Sequence, residues 1–297
     1  MRYLSVAEIA GQWTVAERTV RNYCAHGQIS GAFLVGKTWN IPEDAKRPER
    51  INKSIKRLGD LAEVLKTEKN AKVPGGIYHR LQIDLTYNTN HIEGSKLTQD
   101  QTRYIFETKT VGFQKDSLNV DDIIEAINHF RCIDIVIDSV NYPLSESFIK
   151  RLHGVLKNGT SDSDNEWFAV GDYKKRPNEV GGKETIAPGE VSTAVKNLLS
   201  TYHKKEIKTL EDIVDFHYHF EAIHPFQDGN GRVGRLIILK ECLRNNIVPF
   251  IIDEELKMFY YRGLSEWKSE KGYLYGTCLN AQDKFKKVLD YFEIPYE

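Results

Sequence analysis

The stretch HPFQDGNGRVGR, residues 224–235, constrains the fold more than any other part of this sequence. Its three glycines have the G-x-G-x-x-G spacing of dinucleotide-binding folds, which requires a strand before the turn and a helix after it. Residues 209–223 instead carry apolar side chains at helical spacing, and Thr209 is followed by an acid three residues later, as at a helix start. A second helical pattern covers 232–245. The order helix, glycine-rich turn, helix argues against a Rossmann fold.

The rest of the chain from residue 53 is mainly helical in its periodicity. One segment differs, because 167–189 contains glycine, proline and alternating residues that predict a β-hairpin or an extended flap. We therefore predict a mainly α domain over 58–290, preceded by a charged linker at 46–57. The remaining predicted helices are 53–67, 75–91, 98–107, 120–138, 145–157, 189–203 and 253–288.

The first 45 residues form a separate pattern of helix, turn, helix and hairpin. Ser5 and Glu8 have the spacing of a capping box at the first helix. The pattern resembles the excisionase and MerR-type winged helix-turn-helix modules, which implies DNA binding. The alternative is a small protein-interaction module whose basic residues form a solvated face. By the resemblance, the groove-facing and wing residues would be Arg18, Thr19, Arg21, Asn22 and Lys37.

Composition places few demands on function. With 40% hydrophobic and 28% charged residues, the chain resembles an ordinary soluble protein, and its net charge of −1 means that any DNA contact must be local. The N-terminus lacks a signal-peptide core, and no apolar run approaches the roughly 20 residues that span a bilayer. The four cysteines are scattered, as in reduced thiols. We expect a cytoplasmic protein without membrane contact.

The residues around the glycine turn have the chemistry of a phosphate site. Gly229, Asn230 and Gly231 precede a helix whose N-terminal N–H groups attract anions. Arg232 and Arg235 lie three residues apart, so two guanidinium groups share one helix face. Two further side chains complete the set, namely a carboxylate suited to Mg²⁺ at Asp228 and a histidine able to take a proton at His224. We expect nucleotide transfer.

These residues match the signature of the Fic family, H-P-F-x-D/E-G-N-G-R-x-x-R, at every defined position. Further segments resemble the family over roughly residues 55 to 290, which implies a Fic-type helical domain. Most relatives with the complete signature transfer AMP from ATP to a protein hydroxyl, with Mg²⁺. The resemblance implies that His224 deprotonates a target Tyr, Thr or Ser and that Asp228 holds Mg²⁺. The glycine turn and both arginines would bind the phosphates, and Phe226 would anchor the loop.

Two other regions carry roles by resemblance. The flap of the family pairs with the target chain, and the corresponding residues are Lys174, Glu179, Val180 and Gly181. An ordinary surface loop is the alternative. Tyr260 and Tyr261 resemble a tyrosine pair that encloses the adenine, although the Asn that often follows is absent from SEWKSEKGY and a core role is nearly as well supported. His217 and His219 lack such neighbours, so we predict structural roles.

The stretch TNHIEGSKLT resembles the inhibitory motif of the family, S/T-x-x-x-E-G/N, with Thr89, Glu93 and Gly94 in register. Its predicted helix spans 75–95 and would end at the glycine, with Glu93 near the C-terminus. A carboxylate there needs a cation, which in the family is the second arginine, here Arg235. Many relatives have Asn where this chain has Ser95. The alternative is an exposed acid before a helix-ending glycine.

The resulting prediction is an autoinhibited protein adenylyltransferase that modifies a target protein or itself. Two alternatives stay open: a transcriptional regulator that only senses nucleotide, and an enzyme that removes AMP with Glu93 orienting water. The first differs in not needing His224 and Asp228. A homodimer is a further expectation from the family resemblance.

Overall fold

The computed structural model describes residues 2–25, 29–36, 38–47, 59–112 and 117–296. The chain divides into two compact units, residues 1–54 and 55–297. The predicted linker at 46–57 lies outside the described residues from position 48 onward. No helix of the described part is long and apolar enough to cross a membrane.

The described residues of the first unit form two helices and a small antiparallel sheet. The sheet order is β1 (Tyr3–Leu4), β3 (Thr38–Pro42) and β2 (Phe33–Val35), with Leu4 opposite Ile41 and Phe33 opposite Asn40. Ser5 and Glu8 form the predicted capping box. The core comprises Leu4, Val6, Ile9, Ala10, Val20, Cys24, Ile29 and Ile41. In chain order the elements are β1 (Tyr3–Leu4), α1 (Val6–Trp13), α2 (Glu17–Ala25), β2 (Phe33–Val35) and β3 (Thr38–Pro42).

The residues predicted to contact DNA lie on or beside α2. Arg18 is exposed and Thr19 is half-buried. Arg21 is exposed and pairs with Glu17 at 2.6 Å, which offsets part of its charge. The Asn22 side chain and the predicted wing residue Lys37 lie outside the described part of the chain. DNA binding stays a prediction.

The second unit is helical, as predicted, and α10 (Asn230–Arg244) lies at its centre. Every residue of α10 from 232 to 243 is buried, as is typical of a helix surrounded by others. The predicted start of α9 (Leu210–Ile223) is confirmed, since Thr209 and Asp212 form a capping box. The ten helices that the described residues form here are α3 (Gly59–Ala71), α4 (Ile77–Ile92), α5 (Gln99–Thr108), α6 (Val120–Asp138), α7 (Glu146–Leu156), α8 (Val191–His203), α9 (Leu210–Ile223), α10 (Asn230–Arg244), α11 (Glu254–Glu266) and α12 (Gly272–Tyr291).

The prediction of one long helix over 253–288 is wrong, because the chain reverses between α11 and α12. The two helices pack as a hairpin, and at their closest approach Gly263 lies against the backbone of Leu274. A β-carbon at 263 would lie 2.5 Å from the Leu274 Cα, so only glycine allows this contact. A turn at 267–271 makes the reversal.

The irregular segment between α7 and α8 contains a short hairpin. Strand β4 (Glu179–Val180) pairs antiparallel with β5 (Lys183–Glu184). Gly181 and Gly182 connect them with positive φ values of 57° and 74°, the conformation of a two-residue hairpin turn. The hairpin lies within the predicted flap at 167–189.

Candidate active site

The turn from His224 to Gly229 joins α9 to α10 and is held by its own side chains. Asn230 clamps it, because Oδ1 accepts from the Phe226 N–H at 2.8 Å and Nδ2 donates to the Phe226 carbonyl at 2.9 Å. The Phe226 ring is fully buried and stacks parallel on His153 with 4.0 Å between ring centres. The turn is therefore fixed before any ligand binds, with Phe226 as its anchor.

His224 ends α9 in the left-handed conformation, with φ at 51°. Its Nδ1 donates to the Glu221 carbonyl at 3.3 Å, and a carbonyl can only accept, so this bond places the proton on Nδ1. Burial lowers the pKa of His224 to about 4, against a smaller opposing effect of that bond. At neutral pH the ring is uncharged, and Nε2 has the lone pair that a general base needs.

The N-terminus of α10 lacks a side-chain cap. Gly229 takes the capping position with φ at 78°, and it has no side chain to bond the first turn. The N–H groups at the start of a helix have no partners within the helix, and they carry partial positive charge. Gly231 adds space, because it has no side chain above them. This terminus can bind a phosphate oxygen.

Four charged side chains form a closed ring beside this helix end. Lys157 donates from Nζ to Glu125 Oε1 at 2.7 Å and to Asp228 Oδ2 at 2.8 Å. Arg232 closes the ring, because it bonds the other Glu125 oxygen and also donates to Asp228 Oδ2 at 2.8 Å. Asp162 adds a third carboxylate to the ammonium group at 2.7 Å. Lys157 and Arg232 are buried.

The ring fixes the charge of each member. Burial would raise the pKa of Asp228, but Arg232 and Lys157 outweigh it and hold that pKa well below its usual range. Burial would likewise lower the pKa of Lys157, but Asp228 and Glu125 raise it. Asp228 is therefore an anion and Lys157 a cation at neutral pH. The sequence did not single out Glu125 or Lys157, which lie on α6 and at the end of α7.

Asp228 fits a magnesium ion only in combination with other donors. Its Oδ2 accepts from two cations, the carboxylate also accepts a backbone bond from Gly229, and 48% of the side chain is exposed. No cluster of three or more His, Cys, Asp and Glu in the described part of the chain could hold a metal. Mg²⁺ is commonly bound by one or two carboxylates together with substrate phosphates. Asp228 suits that mode.

The carboxylate of Glu93 reaches the opposite side of the helix end. Glu93 follows the last residue of α4, and Gly94 turns the chain away with φ at 102°. The Glu93 carboxylate forms an ion pair with Arg235, whose guanidinium also donates to the Thr89 carbonyl at 3.2 Å. The predicted contact is thus present. A side chain at Gly231 would overlap the Glu93 carboxylate, which lies directly against that glycine.

A buried polar layer supports Arg235 from below. Tyr260 is 1% exposed and lies 5.9 Å beneath the guanidinium, measured to the ring centre. Its hydroxyl bonds His217 Nε2 at 2.6 Å. His217 Nδ1 lies 3.9 Å from Glu221 Oε1, and burial raises the pKa of Glu221 to about 8. In this conformation Tyr260 supports the arginine and presents no surface to an adenine.

Tyr261 has a different position from its neighbour. It is partly exposed, and its hydroxyl donates to the Ile92 carbonyl at 3.3 Å. The bond joins α11 to the C-terminus of α4, one residue before Glu93. Tyr261 therefore lies beside the inhibitory motif, and adenine binding by either tyrosine stays a prediction.

The flap residues divide into a buried anchor and an exposed hairpin. Lys174 is only 3% exposed and donates to Asn178 Oδ1 at 2.7 Å and to Thr185 Oγ1 at 2.5 Å. Its backbone N–H also bonds the Pro225 carbonyl at 2.9 Å, beside His224. The prediction that Lys174 meets a target protein directly is therefore wrong, because its side chain is used inside the fold. Glu179 and Val180 are exposed and free to meet a partner strand.

The part of the chain that contains this site matches a known protein-family model. Residues 143–242 match the family model described as Fic/DOC family. Protein adenylyltransferase Fic of Aedes aegypti is 24% identical over 221 residues, which cover 73% of this chain and 42% of that protein. The protein of the same name from Drosophila ananassae is 25% identical over 229 residues, covering 74% and 43%. The chain spans less than half the length of these relatives.

Solved structures support the fold. A Fic-domain-containing signalling protein from Bacteroides thetaiotaomicron superposes with a TM-score of 0.58 at 24% identity, covering 79% of this chain and 91% of that one. Fic-1 from C. elegans gives a TM-score of 0.61 at 19% identity, covering 80% and 72%. At these identities the likeness establishes the helical architecture.

Proposed function

Since residues 143–242 form a Fic domain, we propose that this protein is an adenylyltransferase whose resting state is inhibited by Glu93. It transfers AMP from ATP to the hydroxyl group of a Tyr, Thr or Ser, on a target protein or on itself. Mg²⁺ held by Asp228 would neutralise charge on the phosphates. The two insect relatives, both named protein adenylyltransferase Fic, support this activity.

The chain supplies a residue for each requirement of the transfer. Nε2 of His224 takes the proton of the target hydroxyl, whose oxygen then bonds the α-phosphorus. The bond between the α-phosphorus and the bridging oxygen breaks, and pyrophosphate leaves with the electron pair. The free N–H groups at the start of α10 and the two arginines hold the phosphates. The exposed hairpin strand Glu179–Val180 holds the target chain beside His224.

One observation carries this proposal: an uncharged histidine and an uncapped helix end lie on the same fixed turn. His224 begins the turn and Gly229 ends it, and the Asn230 side chain holds the turn between them in place. A proton acceptor is thereby positioned next to a phosphate site. A protein that only sensed nucleotide would have no need for the first of these groups.

The inhibition proposal depends on where the Glu93 carboxylate lies. It pairs with Arg235 and lies against Gly231, above the helix end that would receive phosphate oxygens. A phosphate and a carboxylate cannot share that space, because both are anions. ATP must therefore displace Glu93 or bind without reaching Arg235. Glu93 and the phosphate therefore compete for one site, and a charge-assisted bond such as that of Glu93 to Arg235 is worth about 1.5–3 kcal/mol, or roughly 10- to 150-fold.

Intact-mass spectrometry after incubation with ATP and Mg²⁺ tests both parts of the proposal. We expect the Glu93→Gly variant to gain one AMP unit about 10- to 100-fold faster than the wild type. The double variant with His224→Ala should bind ATP in calorimetry and gain no mass. Asp84→Ala, which removes an acid earlier on the same helix, serves as the control for α4. Equal incorporation by wild type and Glu93→Gly would exclude inhibition by Glu93.

The same experiment addresses the alternatives. A nucleotide sensor would bind ATP without transferring AMP, so neither the variants nor the proteins of a target extract would gain mass. An enzyme that removes AMP would release it from a modified protein, and Glu93→Gly would then lose activity. DNA binding by residues 1–45 is a separate proposal, tested by the mobility of labelled DNA with and without Arg18→Ala.

A further inference from the structure

Lys157 is the buried cation of the candidate site that no part of the transfer reaction explains. Its Nζ has three carboxylate partners, Glu125, Asp162 and Asp228, at 2.7, 2.7 and 2.8 Å. A lysine side chain 3% exposed is costly to bury unless its charge is fully paired. The three partners come from α6, from the loop after α7 and from the turn before α10.

The ammonium group fixes the orientation of Asp228. Lys157 and Arg232 both donate to Oδ2, so the two cations converge on a single oxygen atom. Oδ1 is the oxygen that pairs with neither cation and is left to accept a metal, and 48% of the side chain is exposed. Rotation of the carboxylate would break two charge-assisted bonds at once. Asp228 therefore presents one oxygen in one direction.

The same cations oppose a free metal ion. A divalent ion at Oδ1 would lie on the same carboxylate as the charges of Lys157 and Arg232, and like charges at such distances repel strongly. Only one carboxylate oxygen is available to repay that cost. The phosphates of a nucleotide bring negative charge and further oxygen ligands, which remove the repulsion.

We propose that Lys157 is a positioning residue that makes Asp228 a ligand for the metal–nucleotide complex and not for the free metal. The inference rests on the proposed function, in which Asp228 holds a divalent ion. It adds to that function the requirement that the metal and the nucleotide bind together. By linkage, each then raises the affinity of the site for the other by the same factor.

Manganese binding measured by electron paramagnetic resonance tests the proposal without turnover. All proteins carry Glu93→Gly and His224→Ala, so that the nucleotide site is open and turnover is absent, and Mn²⁺ is titrated with and without ATP against protein-free references, because ATP itself binds Mn²⁺. We expect weak Mn²⁺ binding to the parent protein alone and tight binding with ATP. Lys157→Met should bind Mn²⁺ alone about tenfold or more tightly, the scale on which neighbours of a metal ligand act. Adding Asp228→Ala to that variant should abolish the gain.

Two variants control for charge and for folding. Lys157→Arg keeps the cation and should keep weak binding of Mn²⁺ alone. Lys150→Met removes a lysine from the same helix that pairs with Glu146 and Asp172, and it should resemble the parent. If Lys157→Met fails to fold, Lys157→Met with Glu125→Gln removes one charge of each sign, and it should still bind Mn²⁺ more tightly than the parent.

The outcomes separate the two proposals. If Lys157→Met binds Mn²⁺ alone no more tightly than the parent, Lys157 has no effect of the proposed kind and the inference is wrong. If the parent binds no Mn²⁺ even with ATP, the proposed function loses its metal site. Tighter binding that survives Asp228→Ala would place the metal elsewhere and overturn the inference.

Discussion

Gly234 lies between the two arginines of α10, and its replacement by alanine should destabilise the helical unit. A β-carbon there would lie 2.5 Å from Glu221 Oε1 and 2.8 and 2.9 Å from two atoms of the His217 ring. The His217 side chain is buried and that of Glu221 is only 13% exposed, so neither has open space to move into. Overpacking of this kind costs about 1–3 kcal/mol. Alanine regains about 1 kcal/mol of helix propensity, which leaves a net loss of up to about 2 kcal/mol.

Thermal unfolding of the full chain measures this loss. For a unit of this size we expect the Tm of Gly234→Ala to fall by up to about 8 °C. Gly276→Ala is the matched control, because Gly276 is an exposed helical glycine with nothing within 4 Å of its β-carbon position. It should raise the Tm by about 2–4 °C through propensity alone. If Gly234→Ala is as stable as Gly276→Ala, the polar layer beneath Arg235 is not packed as described.

Two further predictions concern buried basic groups. Burial lowers the pKa of His129, His153 and His217 to about 3, so between pH 6.5 and 3 the unfolded chain binds more protons than the folded one. The free energy of unfolding should therefore fall as pH drops below 6.5, and in urea unfolding His217→Gln should reduce the slope of this free energy against pH by up to about 1.4 kcal/mol per pH unit. Substitution of the exposed His219 by Gln is the control, and an unchanged slope in His217→Gln would contradict the reasoning. Lys174→Met should remove the bonds that hold the flap and speed hydrogen exchange at the Thr185 amide about tenfold or more, whereas the exposed Lys175→Met should not. Equal protection in both variants would show that Lys174 does not order the flap.

Local sequence patterns anticipated the elements on which the site depends. The capping pair Thr209–Asp212 marked the start of α9, and helical spacing on both sides of the glycines excluded a strand. The contact of Glu93 with Arg235 followed from a family motif and a helix-ending glycine. The helix boundaries are set by residues close in the chain. The contact of Glu93 with Arg235 was predictable because the family motif already pairs this glutamate with the second arginine.

The features that sequence reasoning missed depend on the packing of distant segments. Lys157 is 32 residues from Glu125 and 71 from Asp228, and no local pattern reports such a ring. The direction of Tyr260 depends on how α11 rotates against α9, so its burial beneath Arg235 could not be read from the pair of tyrosines. The family resemblance assigns Lys174 to target binding, whereas its side chain is buried beneath the flap.

The position of the Glu93 carboxylate against Gly231 has a quantitative consequence for regulation. An inhibitor that is part of the chain competes with ATP at an effective concentration set by its tether, which for a short connection is in the millimolar range. Stiffening or loosening the end of α4, where Tyr261 holds the Ile92 carbonyl, changes that concentration without touching the catalytic turn. Under the proposed inhibition, the nucleotide level at which the protein switches on is a property of a helix end, and a partner that binds α4 or α11 would set it.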